Sequence, residues 1–362
     1  MILFFLILLV LFILSIVELY EKKVVHIVPL TVLGLLLSVF GGLKKVGISK
    51  DDLNYVTSFE AIQSIKDYFV DFSEWSFHEP SFHFIVVFLK HIFANQYHWY
   101  FFVFVSMAVL IKFLMFYKYA DYFYALLMLY FAIIFPVHEM TQIRVSVGSA
   151  FVMYSWFLYS ENKKKKTLFF LLIAFLFHYS SLIGFLVFAL KRDRASFYFY
   201  SIVVALAVLG IVFKFDSKDF IISMKISGIS DKLSAYKAAE DAGLVSYDDS
   251  KIFNVIFISR LALSGFFIFV SQYASKDSWY HIFLKIYLLS ISLYLLLSAD
   301  PSVAVRVGDL LGLSCIFLFA GSIRYFRYRL IPLAIMFLYS FTVLCISLYN
   351  DKLFTTYKFF FQ

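Results

Sequence analysis

Long apolar stretches alternate with shorter polar ones along the whole chain. The apolar blocks fall at approximately 1–20, 24–42, 81–94, 97–117, 120–137, 143–160, 168–190, 195–213, 252–272, 280–298, 303–321 and 330–349. At 1.5 Å of rise per residue, about 18–22 residues cross the ~30 Å hydrocarbon core of a bilayer. The pattern predicts an all-α, polytopic integral membrane protein, one membrane domain over 1–362 with up to twelve spans. Residues 1–20 lack a basic start and a small-residue cleavage site, so they read as the first transmembrane helix and not as a leader. Two polar segments, 43–80 and 214–251, hold more than a turn.

Charge placement refines the count. Cytoplasmic loops of membrane proteins are rich in Lys and Arg, which puts Lys22-Lys23, Lys163–Lys166 and Arg324–Arg329 on one side. Five blocks separate the first cluster from the second, and five more separate the second from the third. An odd number of crossings would place neighbouring clusters on opposite sides, so one block in each half enters and leaves by the same face. Block 81–94 is short for a span. Block 168–190 has basic residues on both sides and is interrupted by His178-Tyr179-Ser180-Ser181. The expectation is about ten crossings plus two re-entrant elements, with loops 43–80 and 214–251 both facing outward.

Composition agrees and excludes other classes. Apolar residues make up 62% of the 362 residues and charged residues only 15%, too few charges for a soluble surface. The net charge of +8 follows from the cytoplasmic clusters and implies no nucleic-acid partner. Cys315 and Cys345 lie inside apolar blocks, without disulfide or metal-site spacing. No metal and no cofactor is expected.

Five of the eight arginines belong to cytoplasmic clusters, which leaves Arg144, Arg260 and Arg306. These three sit at or below the outer ends of their blocks, with Arg260 roughly 12 Å into block 252–272 at 1.5 Å per residue. An ionisable residue at such depth marks a functional site by default, and the guanidinium fork suits bidentate phosphate contacts. Together they read as a receptor for a lipid-linked phosphate or diphosphate. The competing reading pairs Arg306 with Asp309 and Arg144 with Glu139.

Transfer to a hydroxyl needs a base, which Asp, Glu or His can supply. Asp51 and Glu79 stand out among the acids of 43–80 only because each sits within a motif given below, and His138-Glu139 precede Arg144. His178 sits at the interruption of its block, and Leu233–Asp241 reads as an amphipathic helix containing Tyr236. No P-loop, GxGxxG, nucleotide-sugar or serine-elbow motif occurs, which argues against a cytosolic sugar nucleotide as donor.

These motifs occur in an order that resembles the EpsG-like branch of the Wzy-type polysaccharide (O-antigen) polymerases. A basic residue followed by Gly-x-x-x-Asp-x-x-x-Tyr-x-x-x-Phe is matched by Gly47, Asp51, Tyr55 and Phe59. Glu79-Pro80 matches the Glu-Pro before a short apolar block, and Gln142 with Arg144 matches Gln-x-Arg at a helix start. Phe177-His178-Tyr179-Ser180 matches Phe-His-x-Ser, and Arg306 matches a late arginine opening a helix. Where an arginine is expected before the Asp motif, this chain has Lys44-Lys45; lysine carries the charge without the fork.

The resemblance implies a GT-C-like membrane glycosyltransferase at the outer face of the bacterial inner membrane. Its substrates, as both donor and acceptor, would be undecaprenyl-diphosphate-linked oligosaccharides within membrane lipid, with a separate chain-length regulator as a partner. Asp51, Glu79, His178 and Glu139 are then the candidate catalytic groups. Arg144, Arg260, Arg306, Lys44 and Lys45 are the candidates for binding diphosphate, and Tyr55, Gln142 and Tyr236 for binding the acceptor. A flippase of lipid-linked sugars and a membrane O-acyltransferase are the alternatives. The flippase reading lacks paired inverted repeats, and the acyltransferase reading leaves the arginines without a role.

Overall fold

The computed structural model describes residues 2–21, 27–66, 79–93, 96–213, 254–275, 277–350, 353–354 and 357–360, with scattered positions between 219 and 238. Among them the regular structure is helical, apart from two isolated β-bridges. The helices are α1 (Ile2–Glu21), α2 (Ile27–Gly42), α3 (Asp52–Ala61), α4 (Pro80–Phe93), α5 (Tyr97–Tyr119) and α6 (Phe123–Leu129), which runs on as a π-helix, Tyr130–Glu139. Next come α7 (Ile143–Ser160), α8 (Lys164–Phe177), a 3-10 helix Tyr179–Ala189 and α9 (Phe197–Phe213). Then follow α10 (Val255–Ser271), α11 (Ser278–Leu296), α12 (Pro301–Gly312), α13 (Ser314–Ser322) with a 3-10 turn Ile323–Tyr325, and α14 (Leu330–Cys345), which runs on as a π-helix, Ile346–Asn350.

Among the described residues, five stretches are long and apolar enough to cross a membrane: Ile2–Glu21, Tyr97–Tyr119, Ser278–Leu296, Pro301–Tyr325 and Leu330–Tyr349. Other apolar blocks fold as shorter helices, among them Pro80–Phe93 and Phe197–Phe213. One physical reason is visible within the blocks. The run through Tyr130 is wound as a π-helix around Pro136, and block 168–190 is cut by His178, whose backbone is extended (φ −159°, ψ 122°). The protein is a multi-pass helical membrane protein.

The chain divides into two compact units. The first comprises Met1–Gln63, Phe84–Tyr154 and Ile316–Gln362. Here α2 runs antiparallel to α5, with Gly34 against Phe113 and Gly42 against Phe102. A Cβ on Gly42 would lie 2.6 Å from the Phe102 Cα, so only glycine permits this approach of two backbones. The Glu18 carboxylate of α1 accepts hydrogen bonds from the Phe123 and Tyr124 amides (2.6 and 3.0 Å), capping α6 from a neighbouring helix. Such a cap satisfies two of the orphan amides at the start of the helix. Phe12 stacks on Phe337 at 4.3 Å, joining α1 to α14.

This unit has two distinct ends. Arg324 bonds Asp121 at 2.9 Å, and Tyr20 lines the same groove as Arg327 and Arg329. At the far end of α1, Phe4 stacks on Phe354, and residues 353–354 and 357–360 bridge back to the loop after α2. Those bridges pair Lys44 with Phe359 and Ser49 with Phe354, while the Tyr357 hydroxyl bonds the Phe40 carbonyl at 2.6 Å.

The second unit comprises Ser64–His83 and Ser155–Cys315. The Tyr159 hydroxyl donates to the Leu190 carbonyl at 2.8 Å. The chain therefore leaves this level through α8, turns at His178, and returns through the 3-10 helix to where it started. With 14 residues in α8, the turn stands about 20 Å from the level of Lys164. Lys285 of α11 donates to the carbonyls of Lys191 and Asp193, each at 2.7 Å, tying the returning end in place. Its further bond to the Asp193 carboxylate holds that group below its usual pKa. α9 lies so close to α11 that a Cβ on Gly210 would sit 2.2 Å from the Leu295 carbonyl oxygen.

Candidate functional site

The candidate residues fall in both units and meet in several local groups. In the first unit the chain turns at Gly47, whose φ of +88° a side chain would strain, and α3 then starts after Asp51. Asp51, Tyr55 and Phe59 recur at i, i+4 and i+8, so the motif occupies one face of one helix. Tyr55 and Phe59 are buried, with Tyr55 edge-on to Phe101 at 6.1 Å and Phe59 5.5 Å from Tyr100. The Arg144 guanidinium lies over the Tyr55 ring, 5.4 Å from its centroid, an arrangement in which cation and π-face attract. Gln142 and Arg144 are both half-buried.

Lys44 and Lys45 part company. Lys44 is buried and ion-paired to Asp52, with Ser49 completing the cluster. Asp52 in turn accepts from the Ser49 amide at 2.9 Å and the Ser49 hydroxyl at 2.5 Å. Burial pushes the Lys44 pKa below its usual value, against the opposing pull of Asp52. Lys45 is exposed. Asp52, next to the motif aspartate, is thus the buried acid of this loop, whereas Asp51 is half-buried.

The π-helix ends in His138 and Glu139, both buried. Glu139 is ion-paired to Lys112 of α5, and Lys112 also reaches the Ser146 hydroxyl at 3.4 Å. Lys112 thereby holds both flanks of the turn that carries Gln142 and Arg144. His138 Nδ1 lies 3.3 Å from the Ser149 hydroxyl. The acid offered to Arg144 by local spacing is therefore engaged by a lysine from another helix. The signal for Lys112 in the sequence is an isolated Lys inside the apolar block 97–117.

In the second unit, Glu79 is fully buried just before α4, and its Oε1 lies 3.0 Å from Nδ1 of the half-buried His178. Two motifs about a hundred residues apart in the chain thus meet as a carboxylate–imidazole pair. His83, one turn into α4, places Nε2 2.9 Å from the Ser64 carbonyl. Arg260 donates to Asp309 of α12 at 2.6 Å, and its own carbonyl accepts from the Tyr287 hydroxyl at 2.8 Å. Gly312 leaves room beside it, since a Cβ there would stand 3.9 Å from the guanidinium carbon. Arg306 is half-buried on α12, one turn before Asp309. Tyr236 lies outside the described residues, as does nearly all of segment 214–251. Among the described residues no cluster of metal-ligating side chains occurs.

A multi-pass helical membrane protein with a carboxylate–imidazole pair at a helix break and arginines in its apolar blocks is the class defined by this geometry. A family model described as EpsG family matches residues 27–361. The chain belongs to the EpsG family, which is associated with the Wzy-type polymerases. No curated protein and no solved structure matches it.

Proposed function

We propose that this protein is a polysaccharide polymerase. It joins undecaprenyl-diphosphate-linked oligosaccharide repeat units into O-antigen, capsular polysaccharide or exopolysaccharide at the outer face of the bacterial inner membrane. Family membership supports the class, and the Glu79–His178 pair carries the mechanism. In this reading the acceptor hydroxyl attacks the anomeric carbon of the donor sugar and gives its proton to Nε2 of His178. The bond from that carbon to the lipid diphosphate breaks, and the diphosphate leaves with the electron pair. Glu79 holds Nδ1–H and balances the imidazolium that forms, a division of labour known from other His–carboxylate pairs.

Arg260 and Arg306, in the same unit as the pair, are assigned to the charge developing on the leaving diphosphate. Arg144 on its tyrosine platform and exposed Lys45 are assigned to phosphate of lipid-linked substrate within the first unit. Asp51, Tyr55 and Gln142 support Arg144 there, whereas Lys44 and Glu139 are held by Asp52 and Lys112 and serve structure. The return of segment 164–190 to its starting level supports the topology of about ten crossings with two re-entrant elements. The test is gel banding of the cell-surface polysaccharide from a deletion strain. Loss of the polymerase leaves lipid carrying a single repeat unit, whereas loss of a flippase leaves no such product.

A further inference from the structure

Where α1 ends and α14 begins, the first unit forms an open groove of about 660 Å³. Its lining combines apolar Leu19, Leu330 and Ile331 with Tyr20, Tyr328 and two arginines, Arg327 and Arg329. The third arginine of this stretch is engaged elsewhere, since Arg324 bonds Asp121 at 2.9 Å and the Tyr325 hydroxyl at 2.7 Å. Among the described residues, neither Arg327 nor Arg329 forms an ion pair. Arg327 lies over the Tyr328 ring, 5.6 Å from its centroid. Both guanidinium groups are therefore available to an anion, beside the first turn of α14, whose amides and dipole also favour negative charge.

The groove continues into an apolar track. Ile331, Ile335 and Leu338 of α14 are 56%, 49% and 62% exposed. Their i, i+4, i+7 spacing puts them on one face of the helix. An occupant that satisfies both features has an anionic head and a hydrocarbon tail.

We infer that this groove binds the headgroup of an anionic bilayer phospholipid, with its phosphate between Arg327 and Arg329 and an acyl chain along Ile331, Ile335 and Leu338. Guanidinium forks hold phosphate oxygens in pairs. Basic pockets between helix ends are a recurrent solution for lipid phosphate. The exposed Tyr20 and Tyr328 sit where amphipathic rings favour the headgroup layer. The site is independent of the polymerase reading and uses none of its residues.

The experiment measures the unfolding temperature of the full chain in detergent against added dioleoylphosphatidylglycerol, dioleoylphosphatidylcholine or inorganic phosphate. The wild type is expected to be stabilised by phosphatidylglycerol and by neither of the others. Arg327→Gln/Arg329→Gln is expected to need about tenfold more phosphatidylglycerol for the same effect, from loss of the charge-assisted bonds. Arg192→Gln/Arg194→Gln removes equal charge elsewhere and is expected to respond like wild type. The proposal is overturned if both double variants weaken equally, if neither weakens, or if inorganic phosphate alone reproduces the shift. Should the glutamine pair fail to insert, Arg327→Lys/Arg329→Lys replaces it. That pair keeps the charge without the fork, and an unchanged lipid response from it also overturns the proposal.

Discussion

Nδ1 of His178 lies 3.0 Å from Oε1 of Glu79, and the two residues reach each other from opposite kinds of structure. Glu79 is buried at the start of an unbroken helix, whereas His178 sits on extended backbone at the tip of a broken one. The helix break is what brings the imidazole, midway along an apolar block, beside the buried carboxylate.

Removing either member of this pair is expected to lower polymerisation by about 10²–10⁴-fold, the usual contribution of a positioned base. Glu79→Gln and His178→Asn are the variants, and the readout is polymer formed per molecule of inserted protein. Because they act as a unit, the double variant is expected to lose little more than the worse single one. Additive losses would show that the two side chains work separately, and near-normal activity in both would remove the pair from the mechanism.

Arginine chemistry is tested by keeping charge and removing the fork. Arg260→Lys and Arg306→Lys are each expected to cost about 10²–10³-fold in rate at unchanged abundance. Arg144→Lys is expected to be impaired as well, since ammonium stacks on Tyr55 less well than a planar guanidinium does. Tolerated lysine at all three positions, with alanine lowering abundance only, would make these arginines packing elements.

The Lys112–Glu139 pair yields a prediction of the opposite kind. Each charge alone in that buried setting is costly, so Lys112→Met is expected to destabilise the protein by about 3–5 kcal/mol. Lys112→Met/Glu139→Gln removes both charges and is expected to recover most of the loss. Thermal unfolding of the solubilised variants and their membrane abundance check this. A double variant as unstable as the single would mean that the pair is not the source of the effect.

Topology is tested by labelling with an impermeant thiol reagent. A cysteine at Ser58, half-buried on α3, and one at Ser246, outside the described residues, are expected to react in intact cells. Reaction of either one only after cell lysis would reverse the assignment of the outer face.

Much of this was legible in the chain because it is written in local spacing. The face shared by Asp51, Tyr55 and Phe59 follows from a helical period of 3.6 residues, and the break at His178 follows from a polar run inside an apolar block. What spacing could not disclose are pairings made in three dimensions. Asp309 stands at i+3 from Arg306 yet bonds Arg260, 49 positions away. Glu139 stands five residues from Arg144 yet pairs with Lys112. Choosing between neighbouring acids is likewise a matter of packing, since nothing in the motif distinguishes buried Asp52 from half-buried Asp51. The π-helix that ends in Glu139 is invisible to periodicity because it adds a residue to a turn without changing composition.

The strap formed by residues 353–354 and 357–360 has a consequence for how the molecule is made. The Tyr357 hydroxyl bonds the Phe40 carbonyl across 317 positions of chain, and Lys44 and Ser49 bridge the same strap. The loop holding the Lys44–Asp52 pair therefore leaves the ribosome long before the segment that closes over it. Such distant contacts form late, after the intervening chain has been ordered. During synthesis this early loop waits open, with two charges to shelter, until helix α14 has been inserted. A shortened chain lacking the strap would reach the membrane with its helices threaded and this corner still unlatched.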